Sequence, residues 1–130
     1  MKSSSPDACP CGLGPTYGGC CGRFITGGVA APTAEALMRS RYTAYVREDA
    51  DYLLATWHLS TRPPALAFDP PASRWLGLEV RSHAQPDALN ASVEFVARYR
   101  MAGRAHRLHE RSRFVREGGR WYYLAGEMPA

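Results

Sequence analysis

The sequence has no cysteine after position 21 and no long run of hydrophobic residues. No segment approaches the roughly 20 consecutive apolar residues that a membrane-spanning helix needs, so we expect no membrane span. Residues 1–8 also lack the apolar stretch of a signal peptide. We therefore expect a cytoplasmic protein, in a compartment that keeps thiols reduced.

Lysine is almost absent too, because Lys2 is the only one among 16 basic residues. Arginine favours bidentate contacts with carboxylates and phosphates, although a bias towards arginine also follows from genome composition. The formal net charge of +4 would fall to about +2 if four thiolates held one divalent cation, since such a cluster carries about −2. With 45% hydrophobic and 22% charged residues, the composition is that of one globular domain with a small appendage.

The cysteines form two closely spaced pairs, Cys9-Pro10-Cys11 and Cys20-Cys21, which are separated by eight residues. Zinc binds four thiolates at tetrahedral corners, with bonds of about 2.3 Å. The intervening segment is rich in glycine and contains one proline, so the chain can turn back and bring both pairs to one point. We therefore predict a zinc site with Cys9, Cys11, Cys20 and Cys21 as its ligands.

Two disulfides are the competing interpretation of these cysteines. A bond within either pair would strain the short chain between its cysteines, because disulfides prefer Cα separations of about 4.4 to 6.8 Å. Crosswise pairing stays open on geometry, and the expected reducing compartment argues against it. Iron–sulfur or another soft metal ion is a further alternative, since all-thiolate sites accept several soft ions.

The string CPCGLGPTYGGCCG (residues 9–22) resembles the SEC-C motif, the small zinc module at the C-terminus of the SecA translocase. In that protein the module docks on the export chaperone SecB and on ribosomes, so the resemblance implies a docking function. The commonest form of the motif has Ser and Lys at the positions of Leu13 and Pro15. The chain therefore keeps the metal ligands of the motif and departs from it at two residues between them.

Two helices are predicted after a connector at residues 22–32, whose glycines favour neither helix nor strand. Thr33 is a good N-cap residue, and apolar residues recur at helical spacing from there to about Val46. Asp49 or Asp51 can cap a second, shorter helix that extends to about residue 57.

A loop is predicted at residues 58–73, which hold four prolines, and strands follow from Arg74 onward, where the hydrophobic period changes to two. The first strand has Leu76, Leu78 and Val80 on its apolar face and is predicted to end at residues 85–88. Three more are predicted at about 91–101, 104–116 and 120–124, and the short glycine turns between them favour antiparallel pairing. Helices followed by an antiparallel meander predict an α+β fold.

From residue 33 onward the sequence is similar to the central domain of the YchJ family, which has the cone-shaped fold of nuclear transport factor 2. The similar strings are LMRSRYTAYV (37–46), DYLLATWH (51–58), RWLGLEV (74–80), FVARY (95–99), ERSRF (110–114) and RWYYLAGE (120–127). The resemblance implies four parts, which are a flexible tail at 1–8, a SEC-C module at 9–24, a linker at 25–32 and the cone domain at 33–130. We expect the cone domain to fold without the metal, because it holds both helices, all the strands and almost all the aromatic residues.

Strand alternation directs Glu110 at the core of the cone, because it shares one side of its strand with Leu108, Ser112 and Phe114. We expect a structural ion pair between Glu110 and either Arg39 or Arg41 of the first helix. The alternative is a carboxyl group with a raised pKa, which would suit acid–base catalysis.

His58 is expected near the mouth of the cone, where the second helix ends. An imidazole at a helix C-terminus is often a cap. The alternative is an isomerase- or dehydratase-type site in which His58, Glu110 and a tyrosine hydroxyl serve as base, acid and orienting group. The fold by itself does not select an activity.

We favour an interaction protein that docks through the SEC-C module on a ribosomal or Sec-pathway partner, because the sequence has no recognised catalytic constellation. A small-molecule-binding protein or enzyme that uses the cone cavity is the alternative. RNA is a third candidate partner, provided that neighbouring strands present a stripe of arginines on one face. Those arginines are Arg98, Arg100, Arg107, Arg111, Arg113 and Arg116.

Overall fold

Helices and an antiparallel sheet make up the chain, as the α+β prediction requires. The computed structural model describes residues 8–68, 70 and 72–128. The helices are α1 (Gly22–Ile25), α2 (Ala34–Val46) and α3 (Ala50–Ala55), and the strands are β1 (Arg74–Asp87), β2 (Asn90–Met101), β3 (Arg104–Glu117) and β4 (Arg120–Glu127). The predicted tail at 1–8 lies outside the described residues except for Ala8.

Side-chain caps set the starts of α2 and α3. The Thr33 hydroxyl accepts a hydrogen bond from the backbone N–H of Ala36 at 3.0 Å, and the Asp49 carboxylate accepts one from the N–H of Tyr52 at 3.1 Å. Each bond satisfies a donor that the first helical turn leaves free. The predicted cap at Thr33 is therefore confirmed, and Asp49 is the one of the two aspartates that caps α3.

The connector at residues 22–32 begins with a helical turn, so the prediction of no helix there is wrong for α1. The carbonyl of Cys21 accepts from the N–H of Ile25 at 3.0 Å, and that of Gly22 accepts from Thr26 at 3.0 Å. Glycine is required at position 22 because the backbone there lies close to Tyr17, and a Cβ would lie 2.6 Å from the carbonyl oxygen of Tyr17. The turn thus continues directly from the second cysteine pair.

The sheet has the order β1-β2-β3-β4, and every neighbouring pair of strands is antiparallel. Ala102-Gly103 and Gly118-Gly119 connect the last three strands with positive φ at both residues, as two-residue hairpins prefer. β1 continues to Asp87, so the predicted break at 85–88 is wrong. Pro86 is tolerated because β1 is an edge strand and because its pairing is irregular between Ala84 and Asp87.

A bulge near the start of β1 overturns the predicted apolar face of that strand. Trp75 pairs with Tyr99, and Gly77 pairs with the preceding residue of β2, so Leu76 is the extra residue between them. Leu76 is 48% exposed and does not share the inner face with Leu78. Trp75 turns inward instead, and its ring lies 5.6 Å from that of Tyr42 on α2. A bulge shifts the alternation by one residue, which the pattern of apolar residues did not show.

α2 covers one face of the sheet, called the inner face below, and α3 packs against α2. The opposite face of the sheet is called the outer face. The core between α2 and the sheet contains side chains from α2 (Leu37, Met38, Tyr42), β2 (Val93, Phe95, Ala97), β3 (Phe114) and β4 (Trp121). All four cysteines and Phe24 belong to the same contiguous core. The cysteine module is therefore joined to the sheet domain by a shared hydrophobic interior. None of the described helices has the length and apolar character to cross a membrane.

Candidate metal centre and cone pocket

Four thiol groups converge at one point beside α2. The Sγ atoms of Cys9, Cys11, Cys20 and Cys21 all lie within 4.8 Å of one another, and Cys11 Sγ is 3.6 Å from both Cys9 Sγ and Cys20 Sγ. A tetrahedral metal with sulfur bonds of about 2.3 Å holds its sulfurs about 3.8 Å apart, whereas a disulfide joins them at about 2.05 Å. All four thiols are free. The spacing fits a four-thiolate metal site and does not fit disulfides.

Tight turns bring the two cysteine pairs together. Gly12 donates its N–H to the carbonyl of Cys9 at 3.0 Å, and the carbonyl of Tyr17 accepts from both Cys20 and Gly22. Gly12 has a φ of +82°, which favours glycine. A Cβ on Gly14 would lie 2.6 Å from the Cβ of Cys20. Glycines therefore let this short loop close around the sulfurs.

The pKa values of Cys11, Cys20 and Cys21 are shifted in different directions. A hydrogen bond from the Cys21 thiol lowers the pKa of Cys11 to about 4. The same bond, together with burial, raises the pKa of Cys21, and burial raises that of Cys20. Hydrogen bonding therefore favours ionisation of Cys11, while burial and hydrogen bonding oppose that of Cys20 and Cys21. A divalent cation supplies the positive charge that full deprotonation requires.

The cysteine module is fixed to α2 by polar and aromatic contacts. Cys9 Sγ lies 3.8 Å from Thr43 Oγ1, and Arg39 donates from Nη1 to the carbonyl of Cys11 at 3.2 Å. The guanidinium of Arg47 lies 4.1 Å from the ring centroid of Tyr17. Since every cysteine is buried and all four ligand positions are thiolates, the site is of the closed, structural kind and offers no open position for a substrate.

A pocket of about 260 Å³ lies between α2 and the inner face of the sheet. Half of its twelve lining residues are aromatic, and these include Tyr45, Trp75, Phe95 and Tyr123. Glu110 also lines the pocket, and its carboxylate accepts a hydrogen bond from the Ser112 hydroxyl at 2.7 Å. The predicted inward direction of Glu110 is confirmed.

The predicted ion pair between Glu110 and an arginine of α2 is wrong. Arg39 pairs with Glu35 one turn earlier, with Nε 3.0 Å from Oε2. Arg41 lines the pocket, but its Nη1 donates to the carbonyl of Leu53 at 2.8 Å and to the Thr56 hydroxyl at 2.7 Å. Arg41 is therefore used to join α2 to the end of α3, and no ion pair of Glu110 is found within the part of the chain that the structure describes.

Gly126 leaves the space in which the Glu110 carboxylate sits. β4 pairs Gly126 with Ser112, and a Cβ on Gly126 would overlap the carboxylate of Glu110 and approach the Tyr123 hydroxyl to 2.9 Å. This contact joins residues on two strands, so local sequence alternation gives no signal for it. A glycine inside a strand, such as Gly126 in the string RWYYLAGE, is a sequence feature that can indicate close approach of another group to the backbone.

His58 is not one of the pocket residues. Its Nε2 lies 2.7 Å from Glu117 Oε2, its Nδ1 lies 2.7 Å from the Ser60 hydroxyl, and its ring meets the edge of Tyr122. Tyr122 points to the opposite side of β4 from the pocket residue Tyr123. The structure therefore does not bring His58 and Glu110 into one site, and the sequence signal that suggested a shared site was only the expected helix end.

Five of the six arginines in the predicted stripe lie on the outer face. Arg98 and Arg100 on β2 and Arg107, Arg111 and Arg113 on β3 alternate with the inward residues of their strands. Arg116 is the exception, because it pairs with the inward residue Trp121 and its guanidinium lies 6.0 Å from that ring.

Known proteins resemble this chain in both of its parts. A family model described as the YchJ middle NTF2-like domain matches residues 33–126. A UPF0225 protein of Methylibium petroleiphilum is 61% identical over 126 residues, which cover 95% of this chain and 90% of that protein. The solution structure of a SEC-C motif containing protein from Rhodopseudomonas palustris has a TM-score of 0.83 and 38% identity, with 94% of this chain and 98% of that chain covered. The crystal structure of a SEC-C motif containing protein from Psychrobacter arcticus has a TM-score of 0.78 and 28% identity, with 97% and 86% covered.

Proposed function

Because the chain belongs to the YchJ family, with an NTF2-like domain that follows a SEC-C motif, we propose that it is a cytoplasmic zinc protein that docks on a ribosomal or Sec-pathway partner. The four buried thiolates support zinc, which accepts an all-sulfur tetrahedral site without redox chemistry. The zinc holds the module in one shape, and the module contacts the partner.

The observation that carries this proposal is the contrast between the buried ligands and the exposed loop that they hold. Leu13 lies between the two cysteine pairs and is 65% exposed, while Cys11 is 1% exposed. A loop held by four metal bonds loses little conformational freedom when it binds, and this lowers the ordering cost of association. An exposed leucine on such a loop is suited to insert into an apolar site on a partner.

Replacing Leu13 by Glu is expected to reduce binding to purified ribosomes by about tenfold, since an anchor side chain contributes about 1 to 2 kcal/mol at an interface. The measurement is co-sedimentation of the full, metal-loaded chain with ribosomes over a concentration series. Leu59→Glu is the matched control, because Leu59 is 74% exposed and lies outside the module.

The docking proposal stands if only the Leu13 variant loses binding. Equal binding by both variants and the parent would show that the module only stabilises the fold and does not contact the ribosome. The same series with purified SecB tests the Sec-pathway partner.

The pocket supports a second candidate function, which is binding of a small organic molecule. Glu110 has no ion pair among the described residues and presents its carboxylate to a cavity half of whose lining residues are aromatic, while Arg41 in the same lining donates to Leu53 and Thr56. Aromatic walls and a carboxylate together attract an organic cation. A small aromatic ammonium compound is therefore the ligand class that these groups favour.

Benzylamine is expected to bind in this pocket more tightly than toluene, which has the same ring and no charge. The difference should disappear in Glu110→Gln, because the amide keeps the shape and removes the charge. Chemical-shift changes at Phe95 and Tyr123 provide the measurement.

Glu110→Gln also tests whether Glu110 belongs to a buried ion pair. Removal of one member of such a pair costs about 3 to 5 kcal/mol of stability, whereas we expect this variant to lose less than about 1 kcal/mol in its free energy of unfolding. A large loss of stability, or equal binding of both compounds by the parent, would count against the pocket as a ligand site.

A further inference from the structure

Two pairs of arginines lie directly opposite each other on neighbouring strands of the outer face. Arg74 on β1 is in register with Arg100 on β2, and Arg98 on β2 is in register with Arg107 on β3. All four side chains are exposed. We call these four residues the arginine patch.

Like charges in register destabilise a sheet, because directly opposed side chains have Cβ atoms about 4.5 to 5.5 Å apart. Glu79 is the one acidic residue that the structure places near the patch, with Oε1 3.7 Å from Arg98 Nη1. Glu79 also pairs with Arg81 at 3.4 Å, so one carboxylate is shared between two guanidinium groups. The patch therefore keeps a net positive charge that the described part of the chain does not neutralise.

A general preference for arginine over lysine in this chain does not place these residues opposite one another. The other arginines of the outer face on β3, which lie farther from the turn between β2 and β3, have acidic residues close to them. Arg111 lies 3.8 Å from Glu94, and Arg113 lies 3.9 Å from Glu127. The excess charge is thus concentrated at the end of the sheet that carries the turn between β2 and β3.

We infer that the arginine patch binds the phosphate backbone of double-helical RNA. Four guanidinium groups on a broad sheet face match a rigid polyanion, and each can make a bidentate contact with phosphate. Gly77, Glu79, Val96 and Ala105 flank the patch in register on this face and cannot stack on a base, and the ring of His109 in the adjacent row is held through Nε2 by Glu94 at 2.7 Å. The patch therefore contacts backbone and not unpaired bases. The choice of RNA over DNA rests on the proposed ribosomal partner.

Fluorescence anisotropy with a labelled RNA duplex of about 16 base pairs tests this inference on the full, metal-loaded chain. Each phosphate contact contributes a slope of roughly −0.9 to the dependence of log affinity on log salt concentration, so four contacts predict about −3.6. Arg98→Gln with Arg107→Gln is expected to reduce the affinity at least about tenfold at 50 mM salt and the magnitude of the slope by about 2. Arg74→Gln with Arg100→Gln provides an independent second pair.

Arg62→Gln with Arg120→Gln is the matched control, because both arginines are exposed and lie outside the patch. The control should bind RNA like the parent, and the patch variants should melt at the parental temperature or above, since opposed like charges have been removed. Absence of RNA binding by the parent, or an equal loss of binding in the control, would overturn the inference. No ribosome is used, so a negative result here leaves the Leu13 experiment to decide the docking proposal by itself.

Discussion

Removal of the metal is expected to lower the free energy of unfolding of the whole chain by about 5 kcal/mol or more, a large part of the total stability of such a domain. The thiolate ligands belong to the same core as Leu37 and Phe114. Without a cation, the thiols of Cys20 and Cys21 stay protonated, because their pKa values are raised by burial and by hydrogen bonds to neighbouring cysteines, and the cluster still buries its polar atoms. Loss of the metal therefore weakens the support of α2 as well as the loop.

Urea denaturation of the zinc-loaded chain and of the chelator-stripped chain under reducing conditions measures this effect. Elemental analysis of the loaded chain should give one zinc per molecule, and less than half an equivalent of any metal without free thiols would instead favour disulfides. Cys20→Ser should resemble the stripped chain. Unfolding at the same urea concentration with and without zinc would show that the thiols act only as packed side chains.

A shortened chain that starts at Ala31 is the control for where the stability resides. We propose that this part, which holds α2, α3 and the sheet, still unfolds cooperatively and does not respond to chelator. It should be less stable than the loaded full chain, because Phe24 and the cysteines no longer cover α2. A molten shortened chain would mean that the boundary at residue 33 is wrong.

Replacement of Arg41 by Met is expected to cost about 3 kcal/mol or more of stability. Arg41 is 5% exposed, and burial lowers the pKa of its guanidinium. Its Nη1 donates two hydrogen bonds, to Leu53 and Thr56, and its guanidinium lies 4.5 Å from the ring centroid of Tyr123. Methionine keeps the apolar stem and leaves the Leu53 carbonyl without this partner.

Two further variants separate the contacts of Arg41 from its charge. Arg41→Lys keeps the charge and loses the planar fork, so most of the loss should remain. Arg113→Met is the exposed control, whose ion pair with Glu127 at 3.9 Å contributes at most about 1 kcal/mol. Urea midpoints provide the measurement, and a loss below about 1 kcal/mol for Arg41→Met would show that α3 is held in place by other contacts.

The sequence predicted structural features correctly where they depend on a few neighbouring residues. The cap at Thr33, the inward row of β2 and the two-residue turn at Ala102-Gly103 all follow from residues that are close in sequence. The convergence of the four cysteines could be predicted for the same reason, because both pairs and their glycine-rich loop lie within 13 consecutive residues, from Cys9 to Cys21.

The predictions from sequence were wrong where a single residue shifted the register of a strand, and where a side chain lay near more than one distant partner. The bulge at Leu76 reversed the alternation at the start of β1. Arg41 had both Glu110 and the end of α3 within its reach, and the carbonyl of Leu53 competed successfully. Sequence patterns describe which face a residue occupies, but they do not rank the partners available on that face.

The sequence by itself determined the α+β class, the clustering of the four cysteines and most of the alternation of the strands, because each depends on residue type at short spacing. Tertiary structure alone decided that the cysteine module shares the core of the sheet domain, that Arg41 binds the end of α3 and not Glu110, and that Arg98 is opposite Arg107. These depend on strand register and on how α2 lies against the sheet. Both are set by the summed burial of many side chains, a quantity that no local pattern contains.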